Sequence, residues 1–194
     1  MRFNASSHTD AAFLSCTFVR CGFFDAEFSG CKLVGSQFDS CTYDLLKVDG
    51  GDWSFTGLQG ADLSRAAFKD VRMREADLAG ARCAGASFRG VDLAGSSLRG
   101  ADFSGCDLRG SDISGIDPFT AELARAVIDP FQAVVLARAL GLPSAIRGHW
   151  GRVMAQSERR PLQDAAASHV TPGYQACKCI RRTGSSPSRR ASRG

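Results

Sequence analysis

Large apolar side chains recur at every fifth position of this chain from Phe3 to Ile128. Over these 26 positions only His8 and Pro118 depart from the apolar pattern, and the register of five is kept throughout. Five residues advance a helix by about 140° and a flat strand by an odd number of side-chain alternations, so neither element keeps such positions on one face. A chain that turns a corner once in each repeat does keep them together. The pattern therefore predicts a solenoid.

A second series, of small residues, lies two positions before each central residue and includes Cys16, Ala26 and Ser36. Residues two apart on an extended segment point to the same side, so both series are predicted to face inward. One large and one small side chain per repeat would fill a narrow tube without voids. From Gly80 to Gly115, glycine occupies the second position after the centre in eight consecutive repeats. This phase predicts turn residues with positive φ, as in a type II turn.

Several repeats share one letter pattern, in which a small residue and an aspartate precede the central apolar residue. This pattern resembles the A-(D/N)-L-x-x motif of the pentapeptide repeat proteins, and the resemblance covers about two thirds of the chain. It implies an all-β solenoid, a right-handed quadrilateral β-helix with four repeats per coil. Roughly six such coils would make a rod about 30 Å long at about 4.8 Å per coil. The best matches are Ala61-Asp62-Leu63, Ala76-Asp77-Leu78, Val91-Asp92-Leu93 and Ala101-Asp102-Phe103.

The residues after the last repeat have the signals of a short helix. Asp129 suits the N-cap, Pro130 the first helical position and Gly141 the residue just past the end. The predicted organisation is a coil over residues 1–128, a capping and dimerisation helix over 129–143, and a tail over 144–194. In quinolone-resistance members of the family, a similar C-terminal helix mediates end-to-end dimers. The resemblance thus implies a homodimer through Phe131, Val134, Val135, Leu136, Leu140 and Leu142.

The formal net charge of +4 averages two unlike parts of the chain. Residues 1–128 hold 17 acidic and 13 basic residues, whereas residues 144–194 hold 2 acidic and 10 basic residues. The tail lacks sustained periodicity, so we expect it to be disordered, and an arm for nucleic acid or an acidic partner is the functional alternative.

The charged residues of the coil fall in columns if four repeats make one coil, because residues 20 apart then stack. One column runs Lys32, Asp52, Arg72, Asp92, Asp112, and another runs Asp62, Arg82, Asp102, Glu122. Their alternating signs predict cross-coil ion pairs, and a basic column of Lys69, Arg89 and Arg109 is expected on another side. Towards the C-terminal half the columns become more acidic. The candidate partner-binding surface there comprises Asp92, Asp102, Asp107, Asp112, Asp117 and Glu122.

Catalysis is not expected from this composition. The chain has three histidines, and none has a neighbouring group that would make a serine nucleophilic. No cofactor fingerprint or metal-ligand cluster is recognisable, so we expect neither a cofactor nor a metal site. Six of the eight cysteines fall on inward positions and are interpreted as small apolar filler. No segment is long or apolar enough for a signal peptide or a membrane helix, which predicts a cytoplasmic protein without membrane contact.

The resemblance also supplies a functional expectation. Quinolone-resistance members of the family imitate DNA in shape and negative charge, and occupy the DNA-binding surfaces of DNA gyrase and topoisomerase IV. Lacking loops that interrupt the coils, this chain most resembles the uninterrupted, mycobacterial-type fluoroquinolone-resistance members. We therefore expect a non-enzymatic, partial DNA mimic that binds gyrase or topoisomerase IV, protects against quinolones or gyrase toxins, and makes no direct nucleic-acid contact through the coil. The alternative is a pentapeptide-repeat scaffold for protein–protein interaction without any effect on topoisomerases.

Overall fold

Four parallel β-ladders run along the molecule, and each pairs a residue with the residue 20 positions later. The computed structural model describes residues 2–142; the predicted tail, 144–194, lies outside the described residues. The pairings extend from Arg2 with Gly22 to Asp107 with Val127. The chain is therefore a β-solenoid with four five-residue repeats in each coil, as the sequence predicted. Its strands are β1 (Ser7–Thr9), β2 (Thr17–Val19), β3 (Glu27–Ser29), β4 (Gln37–Asp39), β5 (Lys47–Asp49), β6 (Ala67–Lys69) and β7 (Ser87–Arg89).

The four ladders define four faces, which we name in chain order. Face B carries the five-stranded parallel sheet β1-β3-β5-β6-β7, and face D carries the pair β2-β4. On faces A and C, successive coils are joined by isolated bridges. These begin with Arg2 to Gly22 on face A and with Ala12 to Lys32 on face C. Because consecutive repeats occupy consecutive faces, A lies opposite C and B opposite D.

A corner follows each repeat, and at most corners the residue at its tip has a left-handed backbone. At one corner Gly60 has φ 64° and the Ala61 N–H donates to the Leu58 carbonyl at 3.0 Å, as a type II turn requires. Of the eight consecutive glycines predicted to have positive φ, the seven up to Gly110 do, but Gly115 does not. Eleven non-glycine residues also have positive φ, and among them Phe55, at 59°, carries a bulky ring that this region disfavours.

The inward lattice forms one continuous core. Central residues from Phe18 to Ile113 are buried with few exceptions, and aromatic rings stack from coil to coil. The rings of Phe3 and Phe23 are 5.0 Å apart and 9° from parallel, and those of Phe68 and Phe88 are 4.7 Å apart. These contacts confirm the sequence prediction of a tube filled by large and small side chains.

The small inward residues also join the coils by hydrogen bonds. The Ser96 hydroxyl donates to the Met73 carbonyl at 2.7 Å and accepts the Ala76 N–H at 3.2 Å. Ser36 and Ser111 repeat this arrangement. The thiol of Cys41 does the same more weakly, at 3.3 Å from the Phe18 carbonyl and 3.4 Å from the Cys21 nitrogen. The interpretation of cysteine as apolar filler is thus incomplete, because some of these side chains bond to the backbone of the preceding coil.

One repeat, residues 116–120, departs from the coil. The Asp117 carbonyl accepts N–H groups from Thr120 and Ala121 at 3.1 and 3.0 Å, and the described residues show no bridge from Ser97 to Asp117. The expected unbroken register is therefore interrupted at this point. The physical reason is a turn with aspartate first and Pro118 second, which proline's fixed φ favours. The turn presents Phe119 to solvent with 76% of its surface exposed.

A single helix lies after the coil in the described part of the chain. Helix α1 spans Pro130–Ala139, within the predicted 129–143. The Asp129 side chain caps it by accepting the N–H groups of Phe131 and Gln132 at 2.8 and 3.0 Å. Gly141 follows the end with φ 74°. The sequence prediction of these cap residues is confirmed.

His8 occupies a central position of the first coil, and it makes stability pH-dependent there. Its ring stacks on Phe28 at 4.8 Å, and burial lowers the pKa of the imidazole below its ordinary 6.5. The unfolded chain therefore takes up this proton at a higher pH than the folded chain does. We expect the stability contributed by neutral His8 to be present above pH 6.5 and lost as pH falls towards the folded pKa. Thermal unfolding at pH 7 and pH 5 checks this: wild type should lose more Tm than His8→Phe, and equal losses would contradict it.

Candidate interaction surfaces

The aspartate of the repeat has a structural role in its own turn. At eight such aspartates, the Oδ1 atom accepts the backbone N–H two residues later. Two examples are Asp102 with Ser104 and Asp112 with Ser114, both at 2.9 Å. These bonds fix the carboxylates in place. An asparagine, which also has an Oδ1 acceptor, could keep this bond without the charge.

In the N-terminal part of the rod, opposite charges alternate along the ladders. Arg72 lies 3.7 Å from Asp52 on face C, and Arg82 lies 2.8 Å from Asp62 on face A. Three of these four side chains are at least half exposed and Asp52 is 29% exposed, so each pair contributes under about 1 kcal/mol. The basic column of Lys69, Arg89 and Arg109 lies on face B, where each of the three cations has a carboxylate within 4 Å. The ion-pair columns expected from the sequence are thus present in part.

The alternation breaks at the same level on two opposite faces. Asp92 pairs directly with Asp112 on face C, and Asp102 pairs directly with Glu122 on face A. Like charges on adjacent parallel segments destabilise a sheet, so the fold does not require this arrangement. The other two of the six sequence-predicted carboxylates lie elsewhere around the coil, Asp107 on face B and Asp117 in the turn that replaces the regular repeat of face D. We call this set the acidic girdle: Asp92, Asp102, Asp107, Asp112, Asp117 and Glu122.

The negative charge is concentrated at one end of the rod and not along one of its sides. Counting residues 2–128 by face, faces A and B each hold five acidic and four basic residues, face C four and three, and face D three and two. Each face therefore has a net charge of −1. Along the axis, residues 2–89 hold 11 acidic and 10 basic residues, whereas residues 90–129 hold 7 acidic and 3 basic residues. The negative charge thus surrounds the C-terminal end of the coil.

Two members of the girdle are held in the ionised form. Arg109 donates to both carboxylate oxygens of Asp107 at 2.8 Å, and this hydrogen bonding lowers the pKa of Asp107 to about 2. The hydroxyl and N–H of Ser104 lower the pKa of Asp102. Both carboxylates therefore keep their charge well below neutral pH. Asp107 is the most compensated of the six, since Arg89 also lies 3.6 Å away.

The six residues assigned to dimerisation divide into two groups. Phe131, Val134, Val135 and Leu136 are half-buried, and Val135 and Leu136 pack against the core of the coil. Leu140 and Leu142 are 45% and 57% exposed. Part of the predicted surface therefore caps the last coil, and the part directed outward is at the C-terminal end of the helix.

A groove of mixed polar and apolar lining, which the sequence reasoning missed, adjoins this outward part. It has a volume of about 500 Å³ and lies between residues 118–124 and the side chains of Leu136 and Leu140. Phe119 stands at its edge. The pair Asp117-Pro118, a strong turn signal, could have indicated that this repeat leaves the coil and exposes the next residue.

Residues 2–142 hold no cluster of three or more histidine, cysteine, aspartate or glutamate side chains arranged for a metal ion. Nor does that part of the chain contain a helix with the length and hydropathy needed to cross a membrane.

The family model described as pentapeptide repeats matches residues 58–93 and 76–115, with eight copies. The structure continues the same lattice and the same 20-residue pairing on both sides of this segment. Residues 58–115 are thus a run of pentapeptide repeats. A search of curated proteins finds no match to the sequence of this chain.

Solved structures similar to this chain have different described roles. HetL, from the cyanobacterium Nostoc sp. strain PCC 7120 and described as involved in regulating heterocyst differentiation, is 24% identical with a TM-score of 0.38. That match covers 65% of this chain and only 61% of HetL. QnrB1, described as a plasmid-mediated fluoroquinolone resistance protein, is 22% identical over 73% of this chain and 85% of its own, with a TM-score of 0.35. A pentapeptide repeat protein of the Arabidopsis thaliana thylakoid lumen is 21% identical over 74% of this chain and 83% of its own, with a TM-score of 0.24.

Proposed function

We propose that this protein is a non-enzymatic binding protein whose acidic girdle engages the basic DNA-binding surface of DNA gyrase or topoisomerase IV. It acts as a partial DNA mimic and protects against quinolones or gyrase toxins. The observation that carries the proposal is the break in charge alternation. Asp92 stacks on Asp112 and Asp102 on Glu122, at the same level on opposite faces. Such stacking costs stability, so a negative field is the benefit that accounts for it.

The mimicry is local to the girdle. A 30 Å stretch of duplex carries about 18 phosphate charges at one per 1.7 Å, far more than the net charge of this coil. Residues 90–129 hold 7 acidic against 3 basic residues, and in a C-terminal dimer two such regions adjoin at the centre of the assembly. The negative field there attracts the basic DNA-binding surface of the partner. The N-terminal coils act as a nearly neutral extension. The choice of gyrase follows from the resemblance to the uninterrupted quinolone-resistance members.

The test is a gyrase supercoiling assay with the full chain, with and without a fluoroquinolone. We expect wild type to inhibit supercoiling and the triple variant Asp92→Asn, Asp102→Asn, Asp112→Asn to need about tenfold more protein, because long-range attraction scales with charge. Each asparagine keeps the acceptor for the N–H two residues later, so the turns stay intact. Raising the salt concentration should weaken inhibition by wild type more than that by the variant.

A matched control comes from the same chain. Asp52, Asp62 and Asp77 accept the same turn hydrogen bonds but lie outside the girdle. The triple variant of these three residues to asparagine removes three charges of the same kind and should inhibit gyrase like wild type. Equal effects of the two triple variants would show that only overall charge matters, and would contradict a role for the girdle.

The second candidate is a scaffold that binds another protein and leaves topoisomerases unaffected. The net charge of only −1 on every face favours it, because a duplex-like strip along one side is missing. A folded wild-type protein that leaves supercoiling unchanged at all concentrations would overturn the gyrase proposal in favour of this one.

A further inference from the structure

The ladder of face A is interrupted between the second and third coils. At the neighbouring levels, the N–H of the central residue donates to a carbonyl of the next coil, at 2.9 Å from Phe23 and at 2.7 Å from Leu63. Within the described residues, the N–H groups of Tyr43 and Asp62 have no hydrogen-bond partner, and no bridge joins Thr42 to Asp62. The wall of the solenoid is therefore open at this level.

The opening forms a cleft of about 410 Å³, which we call the face A cleft, between residues 38–44 and residues 59–65. Ladder bonds of ordinary length close it on both sides. The Gly57 carbonyl accepts one at 3.0 Å, and the Leu46 carbonyl accepts the other at 2.8 Å. An inserted peptide strand would need two ladder spacings of about 4.8 Å each between the coils. These bonds therefore leave room for a small molecule but not for an extended peptide.

Three aromatic side chains meet in the coil that forms one wall of the cleft. Trp53 lies on face C, opposite Tyr43, and the Phe38 ring is 5.9 Å from the ring of Trp53 and 6.0 Å from that of Tyr43. Trp53 is 1% exposed, and its Nε1 has no hydrogen-bond partner in the described part of the chain. Overfilling a core shifts the backbone around it. This crowding accounts for an opening on the face opposite Trp53.

We propose that the face A cleft binds a small, uncharged, polyhydroxylated ligand of the sugar class. The coil on one side presents the Tyr43 N–H and the Cys41 carbonyl, and the coil on the other presents the N–H and the carbonyl of Asp62, all without a backbone partner. Such groups require a partner from outside the chain. A hydroxyl group both donates and accepts, so it can join a donor on one wall to an acceptor on the other. A carboxylate only accepts and an ammonium only donates.

The charged side chains at the rim favour the same class of ligand. Arg65 lies 2.8 Å from Asp44 of the neighbouring coil, so this ion pair spans the cleft, and Arg82 lies 2.8 Å from Asp62. The two pairs are neutral together, which favours an uncharged ligand over an anion or a cation. Their guanidinium groups and carboxylates still offer donors and acceptors to neighbouring hydroxyls. The volume of the cleft is within the range of about 300–1,000 Å³ that is usual for small-molecule sites.

Amide hydrogen exchange in the full chain tests the opening itself. The amides of Tyr43 and Asp62 should exchange at least about tenfold faster than those of Phe23 and Arg82, which hold the matching positions at closed levels. Equal protection of all four amides would mean that the wall is closed, and would overturn the proposal.

Ligand binding is measured from the backbone amide NMR spectra of the full chain. The probes are glucose, N-acetylglucosamine and maltose as free sugars, and soluble starch and chitin oligosaccharides as glycan chains. At least one probe should shift the Tyr43 and Asp62 amides and slow their exchange, whereas acetate and methylammonium should not. Tighter binding of a free sugar would identify a small metabolite as the ligand, and tighter binding of a chain would identify a glycan.

Two arginine variants locate the binding site. Arg65→Ala removes the side chain that spans the cleft and should weaken sugar binding about tenfold. Arg74→Ala is the matched control, because the two side chains are 62% and 58% exposed and each lies near one aspartate of another repeat. Both variants should keep the circular dichroism and Tm of wild type.

Three results would overturn the proposal. The first is the absence of any shift at the Tyr43 and Asp62 amides with all five sugar probes up to about 10 mM, a concentration that detects millimolar binding. The second is equal binding by the two arginine variants, because the ligand would then lie outside the face A cleft. The third is an equal response to acetate, because the site would then not select hydroxyl groups.

Discussion

Replacing Gly51 with alanine is expected to lower the free energy of unfolding by about 3 kcal/mol or more, because overpacking and a left-handed backbone both oppose the added methyl group. Gly51 lies at an inward position, with φ 91°. A Cβ there would overlap the Cys31 carbonyl oxygen and lie 2.8 Å from the Cys31 nitrogen. These are backbone atoms of the preceding coil, which cannot move away as a side-chain end can. Chemical denaturation followed by circular dichroism measures the change.

The neighbouring Gly50 provides the control for this prediction. It also has positive φ, at 67°, but a Cβ there would meet nothing within 4 Å. Gly50→Ala should therefore cost only about 1 kcal/mol, the penalty of the left-handed conformation. Both substitutions reduce the freedom of the unfolded chain equally, so their difference isolates the close approach of the coils. A loss in Gly51→Ala no larger than that in Gly50→Ala would mean that the two coils have room to separate.

The coil could be predicted almost completely from sequence, because its period is carried by many residues at once. A single central position such as Met73 or Cys83 decides little, but the series from Phe3 to Ile128 admits only a chain that turns every five residues. The pairing of residues 20 apart then follows from the family resemblance. The helix was predictable for a different reason, since Asp129 and Pro130 are local signals that need no tertiary information.

The Phe119 turn could not be predicted in the same way, because two local preferences compete there. Ile113 and Leu123 keep the five-residue lattice on both sides, so periodicity favours a regular repeat. The Asp117-Pro118 pair favours a tight turn, and in the structure the turn prevails. One reason is position: this repeat lies in the last complete coil, where no further coil constrains its outer edge.

The stacking of the six carboxylates of the acidic girdle was predictable from sequence, but their arrangement around the rod was not. Sequence spacing gave the stacked pairs, such as Asp92 above Asp112, once the coil length was known. It did not reveal that successive members of the set turn by one face every five residues and so surround the rod. Nor did it reveal that the carboxylates bind their own turns, since a hydrogen bond from the Ser104 N–H to the Asp102 carboxylate depends on corner geometry. The six carboxylates therefore do not form one acidic face; they form a girdle in which they also hold their own turns.

The join between coil and helix depends on one buried amide. Gln132 is 4% exposed, and its Nε2 donates to the carbonyls of Leu108 and Ser111 at 2.5 and 2.8 Å. Its Oε1 accepts the Asp129 N–H at 2.8 Å. The side chain thus completes the helix cap and satisfies two carbonyl groups at the end of the coil. No other side chain in the described region of α1 is buried to this degree.

Gln132→Glu should destabilise the helix more than Gln132→Ala does. The carboxylate keeps the acceptor for Asp129 but loses both donors and places a buried negative charge against two carbonyl oxygens, a loss of about 3 kcal/mol or more. Alanine only leaves these groups unpaired, at about 2 kcal/mol. Burial should raise the pKa of the introduced glutamate, so the folded state holds its proton more tightly than the unfolded state does. The deficit of Gln132→Glu relative to wild type should therefore shrink as pH falls from 7 towards 5, while that of Gln132→Ala stays constant.

Thermal unfolding at the two pH values and amide hydrogen exchange in Pro130–Ala139 report this effect. Exchange should accelerate in the helix of Gln132→Glu and leave the coil amides protected, because the coil pairs through its own ladders. Gln59→Glu, at an exposed corner, is the matched control and should change neither measurement. If Gln132→Glu keeps the wild-type Tm at pH 7, the amide does not hold the helix to the coil. The groove between residues 118–124 and α1 would then need another explanation for its shape, since Leu136 and Leu140 form one wall of it only while α1 is docked.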